Sequence, residues 1–271
     1  MMHAQAVSPA MAGSVPALSL KNVGKSYGTG AEPIWAVRDF SLDVANGEFI
    51  SIIGPSGCGK STLFNIIGGF FNRYDGDVVV HGKSDPGARR TIGSVFQEES
   101  TFAWRTAIEN VMFPLEALGI PKPERIERAR DTLALVGLEG FENHYPAAMS
   151  GGMRQRVSIA RTLVVRPQIL LMDEPFAALD EQTRILLGDK VLQIQQQLKQ
   201  TTVLITHNLT EAVLLSDRVV IMTYRPGRIK RIVDIDLPHP RTSDIITTDR
   251  FGQLVGTIWA DLRDESNRGM K

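Results

Sequence analysis

Gly54 to Thr62 constrains this chain more than any other stretch. It reads Gly-Pro-Ser-Gly-Cys-Gly-Lys-Ser-Thr and fills every fixed position of the phosphate-binding pattern G-x-x-x-x-G-K-[ST]. The residues before it, Glu48 to Ile53, are β-branched and aromatic and read as a buried strand running into the loop. After it, Leu63, Ile66, Ile67 and Phe70 recur at helical spacing. Strand, glycine loop and helix is the order the pattern requires, so this part of the chain is expected to be an α/β unit. Gly54, Gly57 and Gly59 let successive backbone amides turn inward around an anion, where a β-carbon would obstruct them. Pro55, Ser56 and Cys58 fill the free positions, and Cys58 reads as filler rather than as a nucleophile. Lys60 is expected to meet the β and γ phosphates of a nucleotide. Ser61 offers Mg²⁺ a hydroxyl ligand, Thr62 can donate to a further phosphate, and the helix starting near Lys60 points its positive end at the same charge.

At 271 residues, one large domain or a domain with a subdomain is expected. Lys plus Arg and Asp plus Glu both total 30, and this balance argues against a nucleic-acid binder that relies on a strong positive field. The single cysteine excludes an internal disulfide framework and fits a reducing compartment such as the cytoplasm. No apolar run approaches the roughly 20 residues needed to cross a bilayer. Met1 to Ala17 lacks the basic start and apolar stretch of a signal peptide, so residues 1–16 are expected to form a disordered tail.

Further along, Ala17 to Val23 and Trp35 to Val44 read as strands expected to pair with Glu48 to Ile53, with the flexible Gly28-Thr29-Gly30 between them. Tyr27, at the edge of that flexible piece, can pack or stack on a base. Asp77 to His81 and Thr91 to Phe96 are further short strands, the second leading to Gln97. Residues 98–166 then have the pattern of a helical insertion, with Ile126, Ala129, Leu133 and Val136 as one apolar stripe ended by Gly137. The aromatics of Thr101 to Trp104 suit either a partner surface or core packing. Gln168 to Met172 is an apolar strand ending in Asp173-Glu174. A helix with Leu187, Val191, Ile194 and Leu198 on one face follows. Next come a strand from Thr202 to Thr206 that ends at His207, a helix around Leu209 to Leu215, and a strand from Arg218 to Met222. Alternating strands and helices imply a mostly parallel sheet. Arg225-Pro226-Gly227-Arg228 is a turn by composition, Ile229 to Leu237 a strand, and Ile258 to Leu262 helical.

The second acid of the site carries more information than the loop alone. Asp173, at the carboxyl end of a buried strand, can hold Mg²⁺ directly or through water, and Glu174 beside it can polarise a water for in-line attack. His207 ends the next strand, where parallel neighbours would set it beside Glu174 as a γ-phosphate contact. Gln97 would contact the water or Mg²⁺. Ser150-Gly151-Gly152 has the small, donor-rich character of a second anion nest, ahead of a helix with Arg154, Arg156 and Arg161. One nucleotide already has its cradle, so a second loop on the same phosphates must come from another copy of the chain.

From about Leu18 to Met222 these residues resemble an ATP-binding-cassette ATPase. Gly54 to Thr62 resembles the Walker A loop, Gln97 the Q-loop, Ser150 to Gly152 the signature, and Ile169 to Glu174 Walker B. Ala178-Leu179-Asp180 resembles the D-loop, His207 the switch histidine, and Tyr27 the aromatic that stacks on adenine. The resemblance implies an α/β P-loop NTPase-type fold with a mostly parallel sheet, an antiparallel β subdomain and a helical insertion, spanning residues 17–237. Residues 238–271 would form a short C-terminal helical extension. It also implies a head-to-tail dimer with two ATP molecules sandwiched between Lys60 loops and Ser150 loops. Separate transmembrane permease subunits would dock near Gln97 and Phe102 to Trp104 at the cytoplasmic face of the inner membrane. Met149 and Met153 depart from the commonest signature, Leu-Ser-Gly-Gly-Gln. Ser-Gly-Gly-Met-Arg-Gln-Arg, Asp-Glu-Pro-Phe and Arg-Pro-Gly-Arg-Ile are together similar to the nitrate, sulfonate and taurine importers, which implies a solute-binding protein as an indirect partner. Chromosome and DNA-repair cassettes carry a long coiled coil between loop and signature. Here Ser150 follows Lys60 by 90 residues without sustained heptads. The alternatives are the ATPase of an exporter or lipid transporter, or a non-transport cassette ATPase.

Overall fold

The computed structural model describes residues 15–28, 33–97, 100–177 and 179–269. The N-terminal tail over residues 1–14, Thr29-Gly30 and Ala178, all named from the sequence, lie outside the described residues.

Strands with a wet face and strands buried on both faces sort into separate sheets. β1 (Leu18–Tyr27) and β2 (Ile34–Val44) leave part of their residues exposed, whereas β3 (Phe49–Ile53) is buried at every position. α1 (Lys60–Ile67) follows the glycine loop, and β4 (Asp75–Val80) returns to pair with β1. The result is a three-stranded antiparallel sheet in the order β2-β1-β4. β3 is not part of it, contrary to the pairing expected for Glu48 to Ile53. A strand buried on both faces needs covered neighbours on both edges, and these come from the far half of the chain.

β5 (Ile92–Val95) precedes three helices, α2 (Ala107–Ala117), α3 (Lys122–Leu135) and α4 (Gly151–Leu163). Then follow β6 (Ile169–Asp173), α5 (Glu181–Leu198), β7 (Thr201–Ile205), α6 (Leu209–Leu215), β8 (Arg218–Met222), β9 (Ile229–Asp234) and α7 (Asp249–Gly269). The six-stranded sheet runs β5-β6-β7-β3-β8-β9, parallel except for β9 at its edge. In its register Ile52 and Asp173 both sit opposite Ile205, so β3, β6 and β7 end level with one another.

Because side chains alternate across a strand, the large sheet has two cores. Ile50 and Ile52 face the cluster that holds α1 and the antiparallel sheet. Phe49 and Ile53 face the cluster built with α2 to α7. The α3 stripe is as read: Ala129, Leu133 and Val136 are buried, Ile126 packs on them, and Gly137 takes φ +71° just past the helix end. Three details differ from the sequence reading. Phe70 lies beyond the end of α1 and is half-exposed, Leu198 is exposed at the last residue of α5, and Ile258 to Leu262 is only the middle of the 21-residue α7.

Candidate active site

The helices of this chain begin in two ways. Thr106, Ser150, Asp180 and Asn208 cap α2, α4, α5 and α6 with side-chain oxygens, while α1 starts at Gly59 with φ +103° and no side-chain cap. No side-chain oxygen caps its first turn, and the turn contains no acid to neutralise the positive helix end. Only glycine fits at 59, because an added β-carbon would lie 2.6 Å from the Ala36 carbonyl oxygen, on top of the positive φ. Lys60 is buried, and its Nζ donates to the carbonyls of Gly54 (2.9 Å) and Pro55 (3.2 Å), which holds the ammonium against the loop. Burial raises the Cys58 thiol above its ordinary pKa. The side chain is fully enclosed, in keeping with packing rather than chemistry.

The parallel register brings the acids to this loop. Asp173 ends β6 almost fully buried; its carboxyl is raised above the usual range chiefly by desolvation, eased by a hydrogen bond from Ser61 and raised further by the charge of Glu174. Glu174 follows at φ +46°, a left-handed conformation uncommon for a side chain of this kind. The Glu174 amide donates to Ile205 of β7 at 2.8 Å, which turns the carboxylate out of the sheet. Its Oε2 accepts from Gln97 Nε2 at 3.0 Å, and its Oε1 lies 3.1 Å from His207 Nδ1. Two residues far apart in sequence, Gln97 and His207, thus converge on the carboxylate of a third.

Above them opens a cavity of about 720 Å³, a volume that suits a small-molecule ligand. Its walls include Tyr27, Ser56, Gly57, Ser61 and Thr62, with Gln97, Glu174 and His207 at one side. Tyr27 is partly exposed, and its hydroxyl lies 3.3 Å from Thr62 Oγ1. Ser61 and Asp173 with the Gln97 amide form a hard, oxygen-bearing donor set of the kind Mg²⁺ takes. Among the described residues no group of three or more His, Cys, Asp and Glu side chains is gathered to hold a metal alone.

The second loop lies apart. Ser150, Gly151, Gly152 and Asp180 do not line this cavity within one chain. Ser150 Oγ caps α4 by accepting from Met153 N at 3.2 Å, and Asp180 Oδ1 caps α5 by accepting from Thr183 N at 2.9 Å. The bonds from Thr183 hold the Asp180 carboxyl below its usual pKa range. Gly152 leaves room for Leu179, since a β-carbon there would meet Leu179 Cδ2 at 2.9 Å. The arginines of α4 turn onto neighbouring groups of the chain. Arg156 donates to the carbonyls of Gly152 and Gly137, Arg154 donates to Met149 O, and Arg161 lies over the Phe102 ring and bonds Ser100. Burial lowers the pKa of both Arg156 and Arg161.

Comparison with known proteins decides the family. The family described as ABC transporter matches residues 37–177. An uncharacterized ABC transporter ATP-binding protein of Methanocaldococcus jannaschii is 47% identical over 94% of each chain. The chain belongs to the ABC transporter family. As an ABC ATPase it is also 41% identical to an aliphatic sulfonates import ATP-binding protein of Bacillus licheniformis, over 86% of this chain and 91% of the relative. It is 44% identical to a bicarbonate transport ATP-binding protein of Synechocystis sp., over 86% and 83%. Among solved structures, the ATP-binding cassette MJ0796, a dimer in a post-hydrolysis state bound to ADP and Pi, superposes with a TM-score of 0.71 at 34% identity. It covers 82% of this chain and 100% of that one.

In this ABC ATPase the two departures from the commonest signature are core residues: Met149 is buried and Met153 packs against the same cluster. Two features escaped the sequence reading. Buried Asn110 accepts from Phe102 N at 2.7 Å and donates to the carbonyls of Phe102, Arg105 and Thr106, which sets the loop on which Trp104 stands 74% exposed. Phe102 packs against both Trp104 and Phe113, so this loop provides packing and an exposed aromatic at once. The other feature is Arg225, which lines the cavity; its only sequence signal was an Arg-Pro-Gly turn. Among the described residues no helix is long and apolar enough to cross a membrane.

Proposed function

We propose that this ABC ATPase is the energising subunit of an importer for a small solute of the nitrate, sulfonate or taurine type. It binds Mg²⁺-ATP as a head-to-tail dimer and works on separate transmembrane permease subunits at the cytoplasmic face of the inner membrane. The observation that carries the chemistry is the convergence of Gln97 and His207 on Glu174 beside the Lys60 loop. In this reading Tyr27 stacks on adenine. Backbone amides at the start of α1 and the Lys60 ammonium hold the phosphates, while Ser61, Asp173 and Gln97 would hold Mg²⁺, which would supply charge neutralisation to the phosphates. Glu174 orients and polarises water for attack on the γ-phosphorus, the bond to the β–γ bridging oxygen breaks, and ADP and phosphate leave. His207 steadies the γ-phosphate.

Ser150 to Gly152 and Asp180 lie outside the cavity of their own chain, and in the dimer they would face the nucleotide held by the partner protomer. ATP then favours closure because its γ-phosphate gains a second set of donors only in the closed dimer, and hydrolysis removes that difference. Trp104 and the aromatic loop around it supply a surface for a permease. The import direction draws on the sulfonate and bicarbonate relatives, and a periplasmic or extracellular solute-binding protein would deliver the cargo.

The test is to isolate the intact complex, identify its membrane subunits and bound solute, and measure solute-stimulated phosphate release. A small oxyanion-bearing solute with importer-type permeases is expected. Co-purification with an exporter or lipid-transporter membrane subunit would overturn the direction. A chain that releases no phosphate in any complex would overturn the motor.

A further inference from the structure

The turn after β8 touches three parts of the molecule at once. Thr223 closes it, with Oγ1 donating to Pro226 O at 2.7 Å and its backbone amide donating to Arg228 O at 2.9 Å. Gly227 presses it against β2, donating to Ala36 O at 2.8 Å while its own carbonyl accepts from Arg38 N at 3.1 Å. A β-carbon on Gly227 would lie 2.1 Å from the Cys58 carbonyl oxygen, so this turn and the phosphate loop are in backbone contact. From that contact Arg225 reaches across the loop. Its Nε donates to Gly57 O at 3.0 Å, its Nη2 would sit 3.1 Å from a β-carbon at Gly57, and its side chain helps line the cavity of about 720 Å³.

The third contact comes from the C-terminal helix. Glu265 of α7 is a carboxylate only 1% exposed. Its Oε2 accepts from the amide of Tyr224 at 3.0 Å, while its Oε1 pairs with Lys230 Nζ and Arg268 Nη1, each at 3.2 Å. The residue that Glu265 holds by its backbone is the immediate neighbour of Arg225. A buried carboxylate with both oxygens engaged is a rigid anchor.

We propose that Arg225 is a second phosphate-binding cation of the nucleotide site, beside Lys60, and that Glu265 is its positioning residue, which makes α7 part of the nucleotide grip. The proposal rests on the reading of the Lys60 loop as the ATP cradle. Among the described residues the Arg225 guanidinium donates to Gly57 O through Nε alone, so the two Nη groups of its planar fork face the cavity as donors for phosphate oxygens.

The full-length chain tests this through its affinity for Mg²⁺-ATP and for adenosine, measured calorimetrically on variants verified as folded by circular dichroism. Arg225→Ala is expected to weaken ATP binding about tenfold, the scale of one charge-assisted hydrogen bond, with adenosine binding unchanged. Arg225→Lys should recover part of the loss, and Arg225→Gln replaces the alanine variant if that one does not fold. In Glu265→Gln an amide can accept along only one of the two engaged edges, so ATP affinity should fall in the same direction. The Arg225→Ala, Glu265→Gln pair should bind no worse than Arg225→Ala alone, as expected for residues acting through one contact.

Wild-type ATP affinity in Arg225→Ala, or equal weakening of ATP and adenosine, would overturn the role of Arg225. Wild-type affinity in Glu265→Gln with only a lower melting temperature, or additive losses in the pair, would overturn the role of α7. Lys60→Ala separates the two readings. If Lys60→Ala binds ATP normally, the cradle reading itself fails; if only Arg225→Ala does, the cradle stands and this inference falls.

Discussion

Replacing Glu174 by glutamine changes one atom of the candidate site and separates chemistry from folding. Both carboxylate oxygens are engaged, one with Gln97 at 3.0 Å and the other with His207 at 3.1 Å. The amide keeps the shape but turns one acceptor into a donor, so the contact to His207 persists only with Nδ1 as the acceptor. His207 is largely exposed, so solvent screens its share, and the stability change should stay below about 1 kcal/mol. The left-handed backbone at φ +46° is unaffected, since glutamine and glutamate meet the same steric limits there. Turnover is a different matter. Loss of a group that polarises the attacking water lowers the rate by about 10² to 10⁴, or about 2.7 to 5.5 kcal/mol in the barrier. The assay is phosphate release at saturating Mg²⁺-ATP, run beside a thermal melt and size-exclusion with ATP. The expected result is normal ATP binding, a melting temperature near wild type, turnover down by at least a hundredfold, and dimers that persist with ATP. Turnover within tenfold of wild type would refute Glu174 as the water-polarising group, and monomers with ATP would count against the sandwich.

Tyr27→Ala should weaken ATP binding by about 1 to 3 kcal/mol, the range for an aromatic that stacks on a base, measured by calorimetry; unchanged affinity would leave Tyr27 as a partner of Thr62 alone. Ser150→Arg should lose the α4 cap, at about 1 kcal/mol in denaturant unfolding, and should block dimer closure while ATP still binds. Normal ATPase in that variant would show that Ser150 faces no phosphate. Asp173→Asn should stabilise the nucleotide-free chain near neutral pH. Burial raises the Asp173 carboxyl in the folded state, so its favourable contribution is complete below the unfolded value of about 3.9 and disappears as pH climbs through the folded value. Urea midpoints should therefore favour the variant at about pH 7, with the gap narrowing toward about pH 4; a gap that widens on acidification would refute desolvation as the dominant cause.

Elements whose signal is local could be read from the residues. The glycine loop, the run Ile169 to Asp173 and the α3 stripe ending at Gly137 lie where their own neighbours imply. The meeting of His207 with Glu174 was legible too, because parallel strands with successive polar ends leave few other arrangements. Pairing partners were not legible: β3 looks like any apolar strand, and what draws it to β7 and β8 rather than β1 is burial on both faces, set by residues more than a hundred positions away. The contacts of the α4 arginines were not legible either, since charge looks solvent-seeking in sequence while the fold directs them onto carbonyls and the Phe102 ring. Arg225 showed only as part of a turn, and Glu265 gave no signal. Their contacts join segments separated by long stretches of chain, and a turn composition says nothing of what the turn rests against.

The cavity walls come from two separate sheets, with Tyr27 closing β1 of the antiparallel one and the phosphate loop leaving β3 of the parallel one. A ligand that grips both works as a brace across the seam. By mass action it adds about 2.7 kcal/mol of resistance to unfolding at a hundredfold excess over its dissociation constant. A ligand held there would also tie the tilt of one sheet to that of the other, so that the two sheets of the chain would move together more stiffly with the seam filled than with it empty.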